Sequence, residues 1–236
     1  MRSSISEALK FSSLSMLLFL ACEQADHENE AMNDNTIHYP VYDIDGNGYD
    51  TVRIGTQTWT VQNLRSTHFR NGDSIPSGHT AQQLSLLLTP ARILYKGDSA
   101  HFREYGFLYN WYAVADTRGL APQGWHIPSN EEWTVLSEYL GGDSVAGGKL
   151  KAAGTDSWAA PNTGASNESG FSALPAGWFS GYGAFYNSDG TWASFYSSSS
   201  HDHGNCYSWG IYWNRISLDH GIYYKQAGRS IRCIKD

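Results

Sequence analysis

The chain has 236 residues, with 16 Lys and Arg against 23 Asp and Glu, which gives a formal net charge of −7 at pH 7. This acidic balance argues against a nucleic-acid partner, because affinity for a phosphate backbone depends on clustered positive charge. Aromatic residues make up 14% of the chain and charged residues only 17%, which predicts an aromatic core with Tyr and Trp left over for a contact surface.

The N-terminal segment has the pattern of a secretion signal. Basic residues precede an apolar run over residues 14–21, which is too short to cross a hydrocarbon layer of ~30 Å as a helix but suits a signal-peptide core. The run ends at Ala21 and Cys22, a pair that resembles the lipobox of bacterial lipoproteins. We therefore predict a signal peptide over residues 1–21 and a lipid on Cys22. The alternative is an ordinary secretory signal with a coincidental cysteine.

Residues 22–38 are acidic and polar and have no apolar period. Such a segment buries too little surface to offset the entropy of ordering it. We predict a flexible tether over residues 22–38 and a folded domain over residues 39–236.

The domain is predicted to begin with a hairpin. Residues 41–55 have the pattern of two short strands around a turn at Asn47 and Gly48, which would supply the positive φ. The acidic spacing that begins at Asp43 also matches the first half of a calcium loop. The twelfth position is Ile54, however, where such a loop requires a bidentate Glu. We favour the turn.

The clearest helix spans residues 129–140, where Ser129 or Asn130 can cap the N-terminus. Shorter helices are predicted over 81–88 and 146–152. Three apolar residues of the main helix have helical spacing and predict one buried stripe: Trp133, Leu136 and Leu140.

Beyond Gly154 the chain is rich in Gly, Ser, Asn, Tyr and Trp. Short strand-like segments alternate there with long polar stretches, which predicts antiparallel strands joined by loops that carry recognition. The segments are 177–179, 191–196, 207–213, 221–224 and 230–234.

Five segments, in this order, carry a family resemblance: 43–47, 52–64, 105–113, 124–133 and the terminal 228–233. Together they resemble the Fibrobacter succinogenes major paralogous domain, which is found in many Bacteroidetes and Fibrobacteres surface proteins. The resemblance implies a secreted or lipid-anchored domain whose molecular role is poorly defined.

Residues 125–133 and the terminal Gly-Arg-Ser-Ile-Arg are more loosely similar to formylglycine-generating-enzyme-like domains, a branch of the C-type-lectin fold. This similarity implies an α+β, C-type-lectin-like domain with an N-terminal hairpin, two short helices and an irregular antiparallel sheet with long loops. Domains of this kind also serve as variable ligand-binding proteins.

The formylglycine-generating enzymes bind copper through two cysteines close in sequence, whereas Cys206 and Cys233 are far apart. This departure argues against an enzyme.

Residues 195–226 are dense in Tyr, Ser, Asn, His and Asp, which suit adaptable recognition. We predict non-catalytic binding of an extracellular glycan or protein ligand through the aromatic side chains of these loops, with no cofactor and no catalytic residue. The alternative is that most of these rings are simply buried. An alternating strand would bury about half of its side chains and expose the rest. The predicted ligand-binding residues are Tyr196, His201, Tyr207, Trp209, Tyr212, Trp213, Asn214, Tyr223 and Tyr224.

The acidic run after Cys22 resembles signals that send Bacteroidetes lipoproteins to the outer face of the outer membrane. We therefore predict a surface-exposed lipoprotein of the bacterial outer membrane, held there by its lipid. Two other functions stay open, namely an enzyme of the formylglycine-generating type and a structural component of a surface assembly.

The cysteines and histidines of the C-terminal region admit two interpretations each. In an oxidising compartment Cys206 and Cys233 form an even pair, for which we predict a disulfide; the alternative is two buried free thiols.

The segment 201–203, His-Asp-His, has with Cys206 the composition of a transition-metal cluster, but no further pair at ligand spacing follows. We favour a polar loop and predict no metal.

Overall fold

A computed structural model describes residues 41–94, 101–180, 184–186 and 189–236. The predicted signal peptide over 1–21, the lipid on Cys22 and the tether over 22–38 lie outside the described residues. Within the described part of the chain, no helix has the length and apolar character needed to cross a membrane.

The described residues form short helices and many short strands, numbered here in chain order. The helices are α1 (Ala81–Leu86), α2 (Phe102–Tyr105), α3 (Trp111–Val114), α4 (Asn130–Tyr139) and α5 (Asp143–Leu150). The strands are β1 (Val41–Tyr42), β2 (Gly48–Tyr49), β3 (Thr51–Ile54), β4 (Gln57–Thr60), β5 (Arg92–Leu94), β6 (Phe107–Tyr109), β7 (Trp125–His126), β8 (Trp178–Phe179), β9 (Phe185–Tyr186), β10 (Trp192–Ser200), β11 (Asn205–Tyr212), β12 (Leu218–Tyr224) and β13 (Ile234–Lys235).

The predicted hairpin is formed by β1 and β2, which pair antiparallel. The Asp43 carboxylate holds its turn, because it accepts hydrogen bonds from the backbone N–H of Asn47 at 2.9 Å and from the Tyr49 hydroxyl at 2.6 Å. The preference for a turn is therefore confirmed. The positive φ, 78°, belongs to Gly46 rather than to the predicted Asn47 and Gly48.

A sheet in the order β3-β4-β13-β7 joins distant parts of the chain. Ile234 of β13 lies opposite both Trp59 of β4 and His126 of β7. The last strand is thus hydrogen-bonded on both sides, to strands from the beginning and the middle of the domain.

A second sheet contains the strands of the aromatic-rich C-terminal region, in the order β10-β11-β12, all antiparallel. Trp192 lies opposite Tyr212, and Trp209 opposite both Phe195 and His220. This register decides which aromatic side chains share a face.

Helix α4 forms as predicted, because Ser129 and Glu132 form a reciprocal capping box at its first turn. The Ser129 hydroxyl accepts from the Glu132 N–H, and the Glu132 carboxylate accepts from the Ser129 N–H at 2.7 Å. The predicted stripe of Trp133, Leu136 and Leu140 is buried. Helix α5 begins at Asp143 and ends at Leu150, earlier at both ends than the predicted 146–152.

The stripe on α4 packs into an aromatic core. The Trp133 ring stacks on that of Trp209 with centroids 5.9 Å apart, and contacts Trp59 at 4.9 Å and Phe195 at 5.6 Å. Helix α4 therefore covers one face of the β10-β11-β12 sheet, and the predicted core position of Trp133 is confirmed. The domain is mixed α and β, with short helices and several antiparallel sheets, in agreement with the predicted class.

His126 ties the last strand to the start of α4. Its imidazole Nδ1 lies 2.7 Å from the Asp236 carboxylate and its Nε2 lies 2.9 Å from that of Glu132. Burial by itself would lower the pKa of His126, but the hydrogen bonds to Asp236 and Glu132 outweigh it and raise the pKa above its usual 6.5. The charged imidazole therefore stabilises the folded state below about pH 6.5, and this contribution is lost as the pH rises through the raised pKa.

We accordingly expect His126 to contribute a fall in the melting temperature as the pH rises from about 6 to about 7.5, and His126→Gln to remove that contribution. Thermal unfolding followed by circular dichroism at several pH values measures this effect. Ser144→Ala, at an exposed and non-titrating position of α5, supplies the control and should leave the pH slope unchanged. Equal slopes in the wild type and in His126→Gln would show that the two ion pairs contribute nothing.

Candidate functional site

The β10-β11-β12 sheet separates the predicted binding residues onto two faces, since side chains alternate along a strand. We call one side the Arg229 face, because the guanidinium of Arg229 lies against it. This face carries Trp192, Ser194 and Tyr196 of β10, Cys206, Ser208, Gly210 and Tyr212 of β11, and Asp219, Gly221 and Tyr223 of β12. The opposite face carries Tyr207, Trp209, Ile222 and Tyr224.

Two predicted binding residues are core residues instead. Tyr196 is fully buried, and its hydroxyl donates to the carbonyl of Ala227 at 2.6 Å. Trp209 is buried under α4, and its indole N–H donates to Asn130 Oδ1 at 3.1 Å. Neither side chain reaches a ligand at the surface, so the prediction was wrong for both.

The remaining residues on the opposite face lie near its exposed end. Tyr207 is half-buried and packs against the exposed His201, with ring centroids 5.4 Å apart. Tyr224 is 50% exposed. This group is therefore separated from Tyr212 and Tyr223 by the thickness of the sheet.

The loop at 201–203 is organised by its central carboxylate. Hydrogen bonds from Asn205 and His201 hold the pKa of Asp202 well below its usual range. Lys225 Nζ donates to the Asp202 carbonyl at 2.7 Å. The described residues contain no group of three or more His, Cys, Asp or Glu side chains able to hold a metal ion.

Cys206 and Cys233 are two free, fully buried thiols, so the predicted disulfide is corrected to the alternative of separate cysteines. The Cys206 thiol lies 3.6 Å from the carbonyl of Tyr223. Burial raises the pKa of each thiol to about 12. Both are therefore protonated at neutral pH, which disfavours nucleophilic or metal-ligating roles.

A lysine fixes the turn that follows Tyr212. Lys151 is fully buried, and its Nζ donates to the carbonyls of Thr163 at 2.8 Å, Tyr212 at 3.1 Å and Arg215 at 2.9 Å. Within this turn Trp213 is half-buried against the aromatic core and Asn214 is exposed. The turn is held in place by an ammonium group, and it positions the Tyr212 end of the Arg229 face.

Arg229 is the centre of an aromatic cluster. Its guanidinium carbon lies 4.2 Å from the ring centroid of Tyr223, 4.9 Å from that of Trp178, 5.6 Å from that of Tyr196 and 5.7 Å from that of Trp192. Cation–π contacts of this kind favour the charged guanidinium. Burial acts in the other direction and lowers the pKa of Arg229.

Several buried nitrogen atoms of this cluster lack a hydrogen-bond acceptor among the described residues. Arg229 Nη1 donates to the Ser194 hydroxyl. Within the part of the chain that the structure describes, its Nε and Nη2 have no hydrogen-bond partner, and neither do the indole N–H groups of Trp178 and Trp192. Buried polar groups are nearly always partnered in native proteins, so a concentration of unpartnered donors at one place needs an explanation.

Small residues allow the rings to lie flat on the sheet. A Cβ on Gly210 would meet Trp192 Nε1 at 2.4 Å, and a Cβ on Gly221 would meet the Tyr223 ring at 3.0 Å. The Trp192 ring in turn stacks on Tyr212, with centroids 5.0 Å apart and planes inclined by 6°.

The outer part of the cluster reaches the surface. Trp178, Tyr212 and Tyr223 are half-buried, and Tyr186 is 47% exposed and stacks on Trp178 at 5.4 Å. The guanidinium of Arg215 lies 4.7 Å from the Tyr212 ring centroid. A surface of flat rings therefore overlies a buried cation.

Comparison with known families identifies the domain that carries this cluster. Residues 52–235 match the Fibrobacter succinogenes major domain. The chain belongs to this family. The match runs from β3 to β13 and includes every residue of the Arg229 face. Searches of curated proteins and of solved structures found no match.

Within this Fibrobacter succinogenes major domain, sequence reasoning missed the central residue of the cluster. Arg229 lies in the terminal segment 228–233 that carries the family resemblance, next to the buried Arg232. Trp178 and Trp192 belong to predicted strand segments but were not among the predicted binding residues. An arginine flanked by strand residues in a chain this rich in aromatics was the available signal.

Proposed function

We propose that the protein is a non-catalytic binding protein and that its Arg229 face holds a glycan, with a protein ligand as the alternative. The supporting observation is the group of half-buried rings at Arg229, in which Tyr212 and Tyr223 lie on the β10-β11-β12 sheet and Trp178 lies on β8. Rigid aromatic side chains lose little conformational entropy on binding, and their flat faces match the apolar faces of sugar rings.

A neighbouring pair of tyrosines on β12 tests this proposal, because Tyr223 lies on the Arg229 face and Tyr224 on the opposite face. We expect Tyr223→Ala to weaken glycan binding about tenfold or more, as loss of an aromatic anchor costs roughly 2 kcal/mol. Tyr224→Ala should bind like the wild type. The measurement uses the full chain, purified in detergent, on immobilised neutral and acidic polysaccharides.

Each variant is checked by near-ultraviolet circular dichroism, so that a loss of binding is not mistaken for a loss of folding. Tyr223→Phe keeps the ring and should retain most of the affinity. Equal losses in Tyr223→Ala and Tyr224→Ala, or no binding of the wild type to any polysaccharide, would overturn the glycan proposal.

We also propose that the domain is C-type-lectin-like and that a lipid on Cys22 displays it at the surface of the bacterial outer membrane. The first proposal is supported by the β10-β11-β12 sheet, with long connections around it, and by a last strand paired with one from the start of the domain. The second is supported by the lipobox-like pair Ala21 and Cys22. Radiolabelled palmitate incorporation that is lost in Cys22→Ser tests the anchor.

A further inference from the structure

The unpartnered groups around Arg229 are all hydrogen-bond donors. They are Nε and Nη2 of Arg229 and the indole N–H groups of Trp178 and Trp192. Nε and Nη2 lie on the same edge of the planar guanidinium, so they form a two-pronged fork. The third nitrogen, Nη1, is occupied by Ser194. The cluster therefore contains donors without acceptors, and two of these donors lie along one edge of the Arg229 guanidinium.

Arg232 shows that this fold can satisfy a buried guanidinium completely. Arg232 is as buried as Arg229, yet its Nε donates to Asn63 Oδ1 at 2.7 Å and its Nη1 to the carbonyls of Thr60 at 3.0 Å and Phe171 at 2.8 Å. Its Nη2 donates to Ser172. The two arginines therefore differ in their surroundings. Of the two, only Arg229 has an edge whose N–H groups lack acceptors.

The guanidinium of Arg229 is not paired with Asp219, the carboxylate on the same sheet face, because Asp219 forms an ion pair with Arg215 at 2.9 Å instead. Among the described residues no carboxylate forms an ion pair with it, and its neighbours are the rings of Trp178, Trp192, Tyr196 and Tyr223. A buried charge without a partner is costly, and the cost is recovered when an anion binds. The missing partner is therefore expected to be negatively charged.

We propose that the Arg229 face takes a carboxylate-bearing sugar, a uronic acid or another sugar acid, as part of its glycan ligand. This inference rests on the proposed function and specifies its substrate class. The two oxygens of a planar carboxylate match the Nε and Nη2 fork in a bidentate pair. The sugar ring then stacks on the neighbouring aromatic rings, and the indole N–H groups donate to its remaining oxygens.

The guanidinium is reached by moving one aromatic side chain. Arg229 is fully buried, but Trp178 and Tyr223, which cover it, are half-buried and extend to the surface. The route that we infer for the ligand is rotation of either ring about its side-chain torsions, which breaks no strand pairing. The ligand replaces that ring as the partner of the charge.

The test compares ligands that differ only in charge. Trigalacturonate, trimannuronate and a hyaluronan tetrasaccharide are titrated into the full chain in detergent, each alongside its carboxyl-reduced, neutral form. We expect at least one acid to bind at least tenfold more tightly than its reduced form, with affinity falling as salt increases. A sulfated neutral oligosaccharide is included as a further anion.

Variants then assign the preference to the fork. Arg229→Lys keeps the charge but loses the paired donors, and it should remove the tenfold preference. Arg53→Lys, at an exposed arginine of β3 outside the Arg229 face, should keep it. If Arg229→Lys does not fold, Trp178→Phe, which removes one indole donor, should reduce the preference several-fold. Each variant's fold is checked by near-ultraviolet circular dichroism.

The outcomes separate this inference from the proposed function. Equal binding of acidic and reduced forms, or a preference for the sulfated sugar, overturns the carboxylate assignment and leaves glycan binding intact. No binding to any acidic or neutral sugar overturns both. Tighter binding of a peptide with a free C-terminal carboxylate than of any uronate would assign the fork to a protein ligand instead.

Discussion

Replacing Arg232 with Met is expected to lower the free energy of unfolding by about 3–5 kcal/mol, or to prevent folding altogether. The guanidinium of Arg232 donates to Asn63 Oδ1 and to the carbonyls of Thr60, Phe171 and Ser172. Met fills most of the volume but donates nothing, so these buried acceptors lose their partner and the desolvation cost of each becomes a net penalty.

Urea unfolding followed by tryptophan fluorescence measures this change. The control is Arg53→Met on β3, since Arg53 is exposed and its loss should change the free energy of unfolding by less than about 0.5 kcal/mol. If the two variants unfolded at the same urea concentration, the network around Arg232 would be irrelevant to stability.

The two buried arginines also show what a single sequence can and cannot reveal. Both lie in the terminal segment 228–233, and both have short or apolar neighbours. Arg232 finds its acceptors on β4 and near Phe171, more than fifty positions away in the chain. Arg229 has four aromatic rings around it and donates one side-chain hydrogen bond, to Ser194. This distinction depends entirely on tertiary contacts, so no local pattern predicts it.

The helix over 129–140 was predictable for local reasons. The Ser129 and Glu132 capping box and the spacing of Trp133, Leu136 and Leu140 are contained within one short segment. Its contact with Trp209 on the sheet was not predictable. Trp209 and Tyr207 are both aromatic residues of one strand segment, and only the position of α4 buries Trp209 more deeply than Tyr207.

The division of the aromatic residues between two faces follows from alternation, yet the sequence obscures it. Gly210, Gly221 and Ser208 occupy positions on the Arg229 face where a simple pattern expects a large side chain. The two glycines are small because the ring of Trp192 lies across Gly210 and that of Tyr223 lies across Gly221. Hydrophobic periodicity therefore does not predict this face, because the small residues that interrupt the pattern are the ones that make room for the rings.

The Arg229 face depends on packing some distance from it, and Gly147 in α5 provides the sharpest test. In an exposed helix, Gly→Ala would stabilise by about 1 kcal/mol. Here a Cβ would lie 2.0 Å from the Ser217 carbonyl oxygen and 3.0 Å from that of Ile216. The clash is with backbone, so no side-chain rotation relieves it. We expect Gly147→Ala to be destabilising by about 3 kcal/mol, which reverses the helix-propensity effect.

This substitution should also weaken glycan binding, because the turn that must move joins Tyr212 of β11 to Leu218 of β12. Gly148 N–H donates to the Ile216 carbonyl at 2.9 Å, and Lys151 holds the Arg215 carbonyl of the same turn. Urea unfolding gives the stability and titration gives the affinity. Ser144→Ala, at an exposed position of the same helix, should alter neither. A Gly147→Ala protein as stable as the wild type would mean that α5 does not approach this turn so closely, and the support of Tyr212 would then have to come from Lys151 alone.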